Sequence, residues 1–196
     1  MKKFTLVAAL LVLFCGTSLA AKDFDWSQCW CNYGGGIEKG DFIINADVGL
    51  FYDDFALSAN NGYWFLPPVM VEVQYAQPIW KLPFTFGGYA GLHAYGYKYV
   101  SGYDVNYNPV YTSSSYWAIF FGAEAAYHIQ LPPKGLDVYL ITRLGANIPF
   151  VKSYYYTADY VHFGEAIGAN WFFGDVFGVN FELGYPFTKL GVTLKF

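Results

Sequence analysis

Apolar and polar side chains alternate residue by residue along eight segments of this chain. A period of two is the pattern of an extended strand, in which successive side chains point to opposite faces of a sheet. Because the segments are separated by turns rich in Gly and Pro, the pattern predicts an all-β antiparallel fold. The eight segments lie near residues 41–50, 68–76, 84–97, 117–130, 136–148, 159–172, 179–185 and 190–196.

The sixth segment is less regular than the others. Glu165 and Asn170 lie on opposite parities, so one of the two polar residues falls in the apolar row. A β-bulge between them would place both on the same face, because a bulge inserts one residue into the strand. The sequence therefore predicts a less regular strand here, which a bulge could reconcile with the alternation.

Short and long connections alternate along the chain. Short turns on one side and longer loops on the other are expected of an up-and-down barrel whose termini share the short-turn side. The last connection, at 186–189, departs from this alternation because it is short. The other short turns lie at 77–83, 131–135 and 173–175, and the longer or more polar connections lie near 52–66, 99–115 and 150–158.

Composition indicates which face of the sheet meets water. Charged residues make up 13% of the chain, against roughly 25% in an ordinary soluble domain. In a soluble barrel, such as a lipocalin-like carrier, the outer face would carry many charges. Here each strand carries one or two charged residues on its polar face, among Gly, Ala, Asn and Gln. This sparse polar face suits a narrow lumen, and the apolar face of each strand is then expected to contact lipid. A soluble carrier is the alternative architecture.

The first 20 residues have the three parts of a secretory signal peptide. Two lysines precede an apolar run over 4–15, and a small-residue cleavage motif lies at 18–20. The apolar run is too short for a transmembrane anchor. We expect residues 1–20 to be the signal peptide, 21–39 to form a periplasmic or lumen-plugging segment, and 40–196 to form the barrel.

The C-terminal segment LGVTLKF, residues 190–196, ends on an apolar aromatic residue. It resembles the last strand of small eight-stranded outer-membrane β-barrels of the OmpA, OmpX and OmpW kind, and the resemblance extends over 40–196 as an architectural pattern. It implies an eight-stranded antiparallel up-and-down transmembrane β-barrel in the outer membrane of a diderm bacterium, reached by export through the periplasm. Outer-membrane lipid, periplasmic chaperones and the barrel-assembly machinery are the implied partners, with Phe196 as the assembly signal.

The last strand is also expected to close the barrel against the strand near 41–50. Leu190, Val192, Leu194 and Phe196 would then face lipid, and the alternate residues would face the lumen. Barrels of this kind include anchors, adhesins, small-solute conduits and lipid-modifying enzymes, so the resemblance leaves the function open.

The polar parity predicts a charge network inside the barrel. Arg143 is basic and lies near mid-strand on that parity, and a buried charge requires a partner. We expect Arg143 to bridge two carboxylates, Glu124 first, and so to plug a lumen that eight strands leave little room to keep open. The predicted lumen residues are Asp47, Glu72, Glu124, Arg143 and Glu182.

Metal, cofactor and nucleic-acid sites are not predicted. His93, His128 and His162 lie on different strands without close ligand spacing. Fifteen acidic residues outnumber eleven basic ones, whereas phosphate contacts need clustered Lys and Arg. His162 and Glu165 could form a hydrolase pair, but the His-x-Ser pattern of lipid A deacylases is absent. No catalytic residue is predicted, and an outer-membrane lipid-modifying enzyme stays an alternative because catalytic triads are defined by geometry.

Cys29 and Cys31 form a possible disulfide, either local or intermolecular. Export places them in an oxidising compartment. Two cysteines that are two residues apart in an extended strand lie near the upper limit of bridging distance, so a local bridge would be strained.

The connections near 99–115 and 150–158 are rich in Tyr interleaved with Ser, Asn and Gly. This mixture is also the chemistry of antibody paratopes, and it predicts a surface that binds an extracellular ligand. For residues nearest the strands, the alternative is an aromatic girdle at the membrane interface. We expect a structural or surface-interaction protein, with a narrow channel for small or hydrophobic solutes as the alternative. The candidate binding residues are Tyr103, Tyr107, Tyr111, Tyr154, Tyr155 and Tyr156.

Overall fold

The computed structural model describes residues 36–52, 62–79, 82–131, 134–151 and 160–196. Eight strands form one closed antiparallel barrel in chain order, β1 to β8. The predicted fold class is therefore confirmed. The strands are β1 Phe42–Tyr52, β2 Gly62–Ala76, β3 Phe84–Tyr103, β4 Pro109–Leu131, β5 Leu136–Val151, β6 Val161–Phe172, β7 Phe177–Tyr185 and β8 Phe187–Lys195.

Several sequence predictions concern residues outside these ranges. They are the signal peptide at 1–20, the disulfide candidates Cys29 and Cys31, and the tyrosines at 154–156. Within the described part of the chain, no helix is long and apolar enough to cross a membrane.

Burial alternates along the strands with the apolar side chains on the outside. Leu144 and Phe181 are exposed on the outer wall, whereas Glu72 and Asn180 are fully buried inside. This distribution is the inverse of that in a soluble barrel and is the one required of a wall that contacts lipid. The soluble-carrier alternative is therefore wrong, and the wall spans a membrane.

The first and last strands close the barrel. Ile43 of β1 lies opposite Lys195 of β8, and the pairing continues to Val48 opposite Leu190. The backbone NH of Phe42 donates to Phe196 O at 2.8 Å, and the NH of Phe196 donates back to Phe42 O at 2.9 Å. Closure removes the free edge that would otherwise leave a C-terminal strand unpaired.

The side chains of β8 point as its alternation predicts. Thr193 and Lys195 are buried in the lumen. The apolar alternate residues face outward, with Leu190, Val192 and Phe196 exposed and Leu194 half-buried.

The predicted irregularity in β6 is wrong. The strand pairs with β5 from Leu136 opposite Trp171 to Ala146 opposite Val161 without a shift in register. Asn170 faces the lumen and the half-buried Glu165 faces outward. Glu165 pairs with Thr142 of β5 on one side and with Tyr185, the last residue of β7, on the other.

Three predicted connections are shorter than expected, while the turns at 77–83, 131–135 and 173–175 are confirmed. β2 begins within 52–66, β3 and β4 leave only 104–108 of the connection at 99–115, and β8 includes 187–189. Apolar alternation marks a strand only where one face meets lipid. Beyond the membrane both faces meet water, so the alternation is lost while the backbone ladder continues.

The turn between β3 and β4 is organised by one carboxylate. Asp104 Oδ1 accepts from the backbone NH groups of Asn106 and Asn108, each at 2.8 Å, and Oδ2 accepts from Asn108 Nδ2 at 3.0 Å. Tyr107 follows with a φ of 62°, the left-handed conformation that lets the chain reverse. This arrangement is an Asx turn, which explains why so few residues join two long strands.

Acidification is expected to loosen this turn. Hydrogen bonds from the side chain and backbone of Asn108 hold the pKa of the Asp104 carboxyl below its ordinary value. The carboxylate therefore stabilises the turn above the unfolded-state pKa, and the contribution is lost as pH falls through the lowered folded-state pKa. The amide NMR shifts of Asn106 and Asn108 should follow that titration. In Asp104→Asn they should not titrate, and shifts that stay constant in the wild type would contradict the role of the carboxylate.

Candidate functional site

Arg143 of β5 lies at the centre of a buried group of carboxylates. Its Nε donates to Glu124 Oε2 at 2.9 Å. Its two terminal nitrogens donate to both carboxylate oxygens of Glu182, at 2.8 Å and 2.7 Å. Nη2 also donates to Glu72 Oε1. The sequence predicted two carboxylate partners, and the structure gives the guanidinium three.

Lys189 of β8 is a second buried cation in the same group. Its ammonium lies 2.6 Å from Asp47 Oδ2, 2.7 Å from Glu72 Oε1 and 3.0 Å from Glu182 Oε1. Sequence analysis missed it because it placed 186–189 in a connection. The available signal was parity, since residue 189 shares the lumen-facing row with Thr193 and Lys195.

These six side chains, which we call the charge network, cross the whole barrel. They come from β1, β2, β4, β5, β7 and β8. A buried charge is tolerated only when it is paired and its remaining hydrogen-bonding capacity is used. The charge network consists of Asp47, Glu72, Glu124, Arg143, Glu182 and Lys189, so four carboxylates surround two cations.

Neutral polar side chains use the remaining lone pairs of the carboxylates. Asn45 Nδ2 donates to Glu72 Oε2 at 2.9 Å, and Gln74 Nε2 donates to Glu124 Oε1 at 3.0 Å. The hydroxyl of Tyr139 donates to Glu182 Oε1 at 2.8 Å. Such a network holds Glu72, Glu124 and Glu182 each in one position, because displacing any of the three would break more than one bond.

Glycines on the lumen face make room for large side chains. A Cβ at Gly168 would collide with the ring of Tyr139, and one at Gly91 would collide with the ring of Phe120. Each ring therefore packs against the backbone of the glycine opposite it. The side chain of any other residue at that position would collide with the ring. This accounts for the regular occurrence of Gly on the polar parity of a barrel with so narrow a lumen.

An aromatic layer lies on the side of the charge network away from the chain termini. Met70, Tyr89, Phe120 and Phe187 form a buried cluster. His162 stacks on Phe120 with ring centroids 4.8 Å apart, and its Nδ1 lies 2.7 Å from the Tyr89 hydroxyl. His162 thus lies among rings, as does His93, which stacks on Tyr116.

A short strap, residues 36–37, lies at the other end of the lumen. Ile37 is fully buried with Ile43, Ala76 and Phe172. Its carbonyl accepts from Gln130 Nε2 at 2.7 Å, and the carbonyl of the preceding Gly36 accepts from Lys195 Nζ at 2.5 Å. Side chains therefore occupy the lumen at three levels, which are the strap, the charge network and the aromatic layer.

The β3–β4 hairpin extends beyond its neighbours, and we call residues 98–113 the projecting hairpin. Among the described residues, β2 pairs with β3 only as far as Tyr97, and β5 pairs with β4 only as far as Tyr116. Tyr103, Tyr107 and Tyr111 are 68%, 88% and 57% exposed, whereas Tyr116, further along β4, is buried in the lumen. The hairpin thus presents exposed tyrosines beyond the described ends of its neighbouring strands.

No family model matches the sequence, and no curated protein matches it. Three solved structures resemble the fold. The N-terminal β-barrel domain of Pseudomonas aeruginosa OprF is 15% identical, with a TM-score of 0.45, over 81% of this chain and 98% of that one. A de novo designed transmembrane β-barrel is 13% identical, with a TM-score of 0.45, over 82% and 99%. Yersinia pestis Ail is 11% identical, with a TM-score of 0.41, over 81% and 100%. The likeness is one of barrel architecture alone.

One group of lumen residues has the order of a catalytic triad. His128 Nδ1 lies 2.7 Å from Asp137 Oδ2, and its Nε2 lies 2.9 Å from Thr85 Oγ1. Sequence analysis missed it because the search was for Ser close to His along the chain. All three residues are buried, and the Thr85 hydroxyl donates to Gln74 Oε1 at 2.8 Å. The arrangement holds His128 in place but offers no exposed nucleophile to a substrate.

The other chemical candidates are not brought together. His162 faces the lumen while Glu165 faces outward, so the two cannot act as a hydrolase pair. Among the residues that the structure describes, no group of three or more His, Cys, Asp or Glu side chains is arranged to hold a metal ion.

Proposed function

We propose that this protein is an integral outer-membrane β-barrel whose closed lumen supports the projecting hairpin, and that the hairpin binds an extracellular polypeptide. The observation that carries the proposal is that one barrel combines a lumen occupied by side chains at three levels with an exposed, tyrosine-rich hairpin. The first makes the barrel a rigid support, and the second provides the contact surface.

The outer membrane is the proposed location because of the wall and the predicted leader. An apolar outer wall needs lipid, and residues 1–20 have the pattern of an export signal. Outer-membrane lipid, periplasmic chaperones and the barrel-assembly machinery are the proposed partners during assembly. Phe196 suits the role of assembly signal because its side chain is exposed at the closing seam, while its backbone pairs with Phe42.

The chemistry of the projecting hairpin favours a polypeptide as its ligand. Within 98–113, Lys98 and Asp104 are the charged residues, so recognition rests on aromatic contact and hydrogen bonding. Tyrosine supplies large contact areas at a low cost in side-chain entropy. Beyond Tyr97 and before Tyr116, β3 and β4 pair with each other and with no other described strand, so an extended chain could add to them as a further strand.

The solute-channel alternative is less well supported. A conducting lumen would need a continuous path through the strap, the charge network and the aromatic layer. Arg143 and Lys189 are held by carboxylates from both sides of the barrel, so their displacement would leave buried charges unpaired.

Replacing Tyr103, Tyr107 and Tyr111 together by Ser is expected to weaken peptide binding by about 100-fold or more, because exposed aromatic anchors carry most of the energy of such interfaces. The wild-type protein in lipid nanodiscs would be used to select ligands from a random peptide library. Binding of the selected peptides to the triple variant would then be measured.

The matched control is Tyr160→Ser, because Tyr160 is 73% exposed but lies outside the projecting hairpin. It should leave binding unchanged. A deletion of residues 102–113 should abolish binding while the heat-dependent gel shift of the barrel is retained. Peptides that bind the deletion variant as tightly as the wild type would rule out the hairpin as the binding surface.

A further inference from the structure

Four buried oxygen atoms on β7, β8 and β1 have no hydrogen-bond partner among the residues that the structure describes. They are Asn45 Oδ1, Asp47 Oδ1, Asn180 Oδ1 and Thr193 Oγ1. Each of the four residues is at least 97% buried. Because an unsatisfied buried polar atom loses its hydration without compensation, a group of them calls for an explanation.

The strand register places these residues around Gly191. Gly191 pairs with Asp47 of β1 on one side and with Asn180 of β7 on the other. Thr193, two residues further along β8, lies opposite Asn45. Asp47 Oδ1 stands over Gly191, where a Cβ would collide with it. The register therefore brings the four residues to neighbouring positions around Gly191, where Asp47 Oδ1 occupies the space that a side chain at 191 would fill.

The hydrogen bonds fix which amide atoms remain free. Asn45 donates its Nδ2 to Glu72, so its unpartnered atom is the oxygen. The Tyr139 hydroxyl donates to Glu182 and must therefore accept from Asn180 Nδ2, at 2.5 Å. Because Nδ2 of Asn180 is the donor, its unpartnered atom is also the amide oxygen. The group thus offers one carboxylate oxygen, two amide oxygens and one hydroxyl.

Charge points to the kind of ligand. The charge network holds four carboxylates and two cations, and Lys189 contacts only the other oxygen of Asp47, Oδ2. A buried carboxylate oxygen without a hydrogen-bond donor is offset either by a proton on the carboxyl group or by a bound cation. Oxygen ligands with a single carboxylate suit neither Ca²⁺, which takes six to eight oxygens, nor metals that prefer nitrogen or sulfur.

We propose that a hard monovalent cation, Na⁺, binds at this position, with Asp47, Asn45, Asn180 and Thr193 as its ligands. The ion joins the first strand of the barrel to the last two, at the seam that closes the sheet. Its effect is to stabilise the closed barrel, and it does so independently of any ligand on the projecting hairpin.

The test is the thermal unfolding midpoint of the membrane-extracted protein in detergent, in sodium chloride and in N-methylglucamine chloride at equal ionic strength. Sodium at about ten times its dissociation constant should raise the midpoint by about 3 to 6 °C. Thr193→Val, which removes only the hydroxyl, should lose most of that rise. Thr142→Val makes the same change on the exposed outer face of β5 and should keep it.

Equal midpoints in the two salts would overturn the proposal, as would a sodium-dependent rise that Thr193→Val and Thr142→Val share. Crystals of the wild-type protein soaked in a thallous salt give a second readout that needs no variant. An anomalous peak between Asp47 and Asn180 is expected. A site that holds only water would show none, and that result would also overturn the proposal.

Discussion

Arg143→Ala is expected to lower the free energy of unfolding by about 3 to 5 kcal/mol, the usual loss when one partner of a buried ion pair is removed. The guanidinium donates to Glu72, Glu124 and Glu182, which are all buried. Without it, three carboxylates face one another with Lys189 as the remaining cation of the charge network. The loss would be measured by urea unfolding of the barrel in lipid vesicles.

The same variant tests whether the charge network closes the lumen. Single-channel conductance in planar bilayers is expected to be absent from the wild type and to appear in Arg143→Ala. Arg143→Lys should be intermediate in stability, because one ammonium cannot reproduce the forked contact with Glu182. Lys134→Ala, at an exposed position in the β4–β5 turn, is the control and should leave both measurements unchanged. Steady conductance of the wild-type barrel would contradict a closed lumen.

Lys189→Met is expected to lower the free energy of unfolding by a similar amount, about 3 to 5 kcal/mol. The ammonium is fully buried and lies within 3.0 Å of Asp47, Glu72 and Glu182. Because Asp47 belongs to β1 and Lys189 to β8, their contact also spans the seam that closes the barrel. The midpoint of the heat-dependent gel shift should therefore fall together with the unfolding free energy.

A double variant separates the charge from the packing. Adding Asp47→Asn to Lys189→Met removes one uncompensated carboxylate, so part of the lost stability should return, and the difference gives the coupling energy of the pair. Lys98→Met, an exposed change of the same chemistry on the projecting hairpin, should alter stability by less than about 0.5 kcal/mol. A Lys189→Met barrel as stable as Lys98→Met would show that Lys189 does not balance the carboxylates.

The sequence predicted the strands and the side of the wall on which each residue lies. Alternation fixes parity, because every second side chain of a strand shares a face, and the low content of charge decides that the apolar face meets lipid. Residues 190–196 illustrate this, since their apolar row is outside and Thr193 and Lys195 are inside. Parity also placed Arg143 among the acidic residues of the lumen.

The alternation of apolar and polar residues did not predict the structure where the surroundings of a strand change along its length. The projecting hairpin has water on both faces, so its strands carry no apolar alternation and looked like a loop. Lys189 lies beside a turn of one residue, and its place in the lumen depends on where β8 begins. Glu165 breaks the apolar row although β6 pairs with both of its neighbours without a shift in register.

What only the tertiary structure decided is which lumen residues meet. A single strand's pattern says that a side chain points inward, but its height in the barrel depends on the register of every strand pair around the closed sheet. That register brings Arg143 of β5 to Glu72 of β2, and Lys189 of β8 to Asp47 of β1. It also places Asn45, Asp47, Asn180 and Thr193 at neighbouring positions around Gly191. Alternation determines the face of each residue, whereas the stagger of the closed barrel determines its partners.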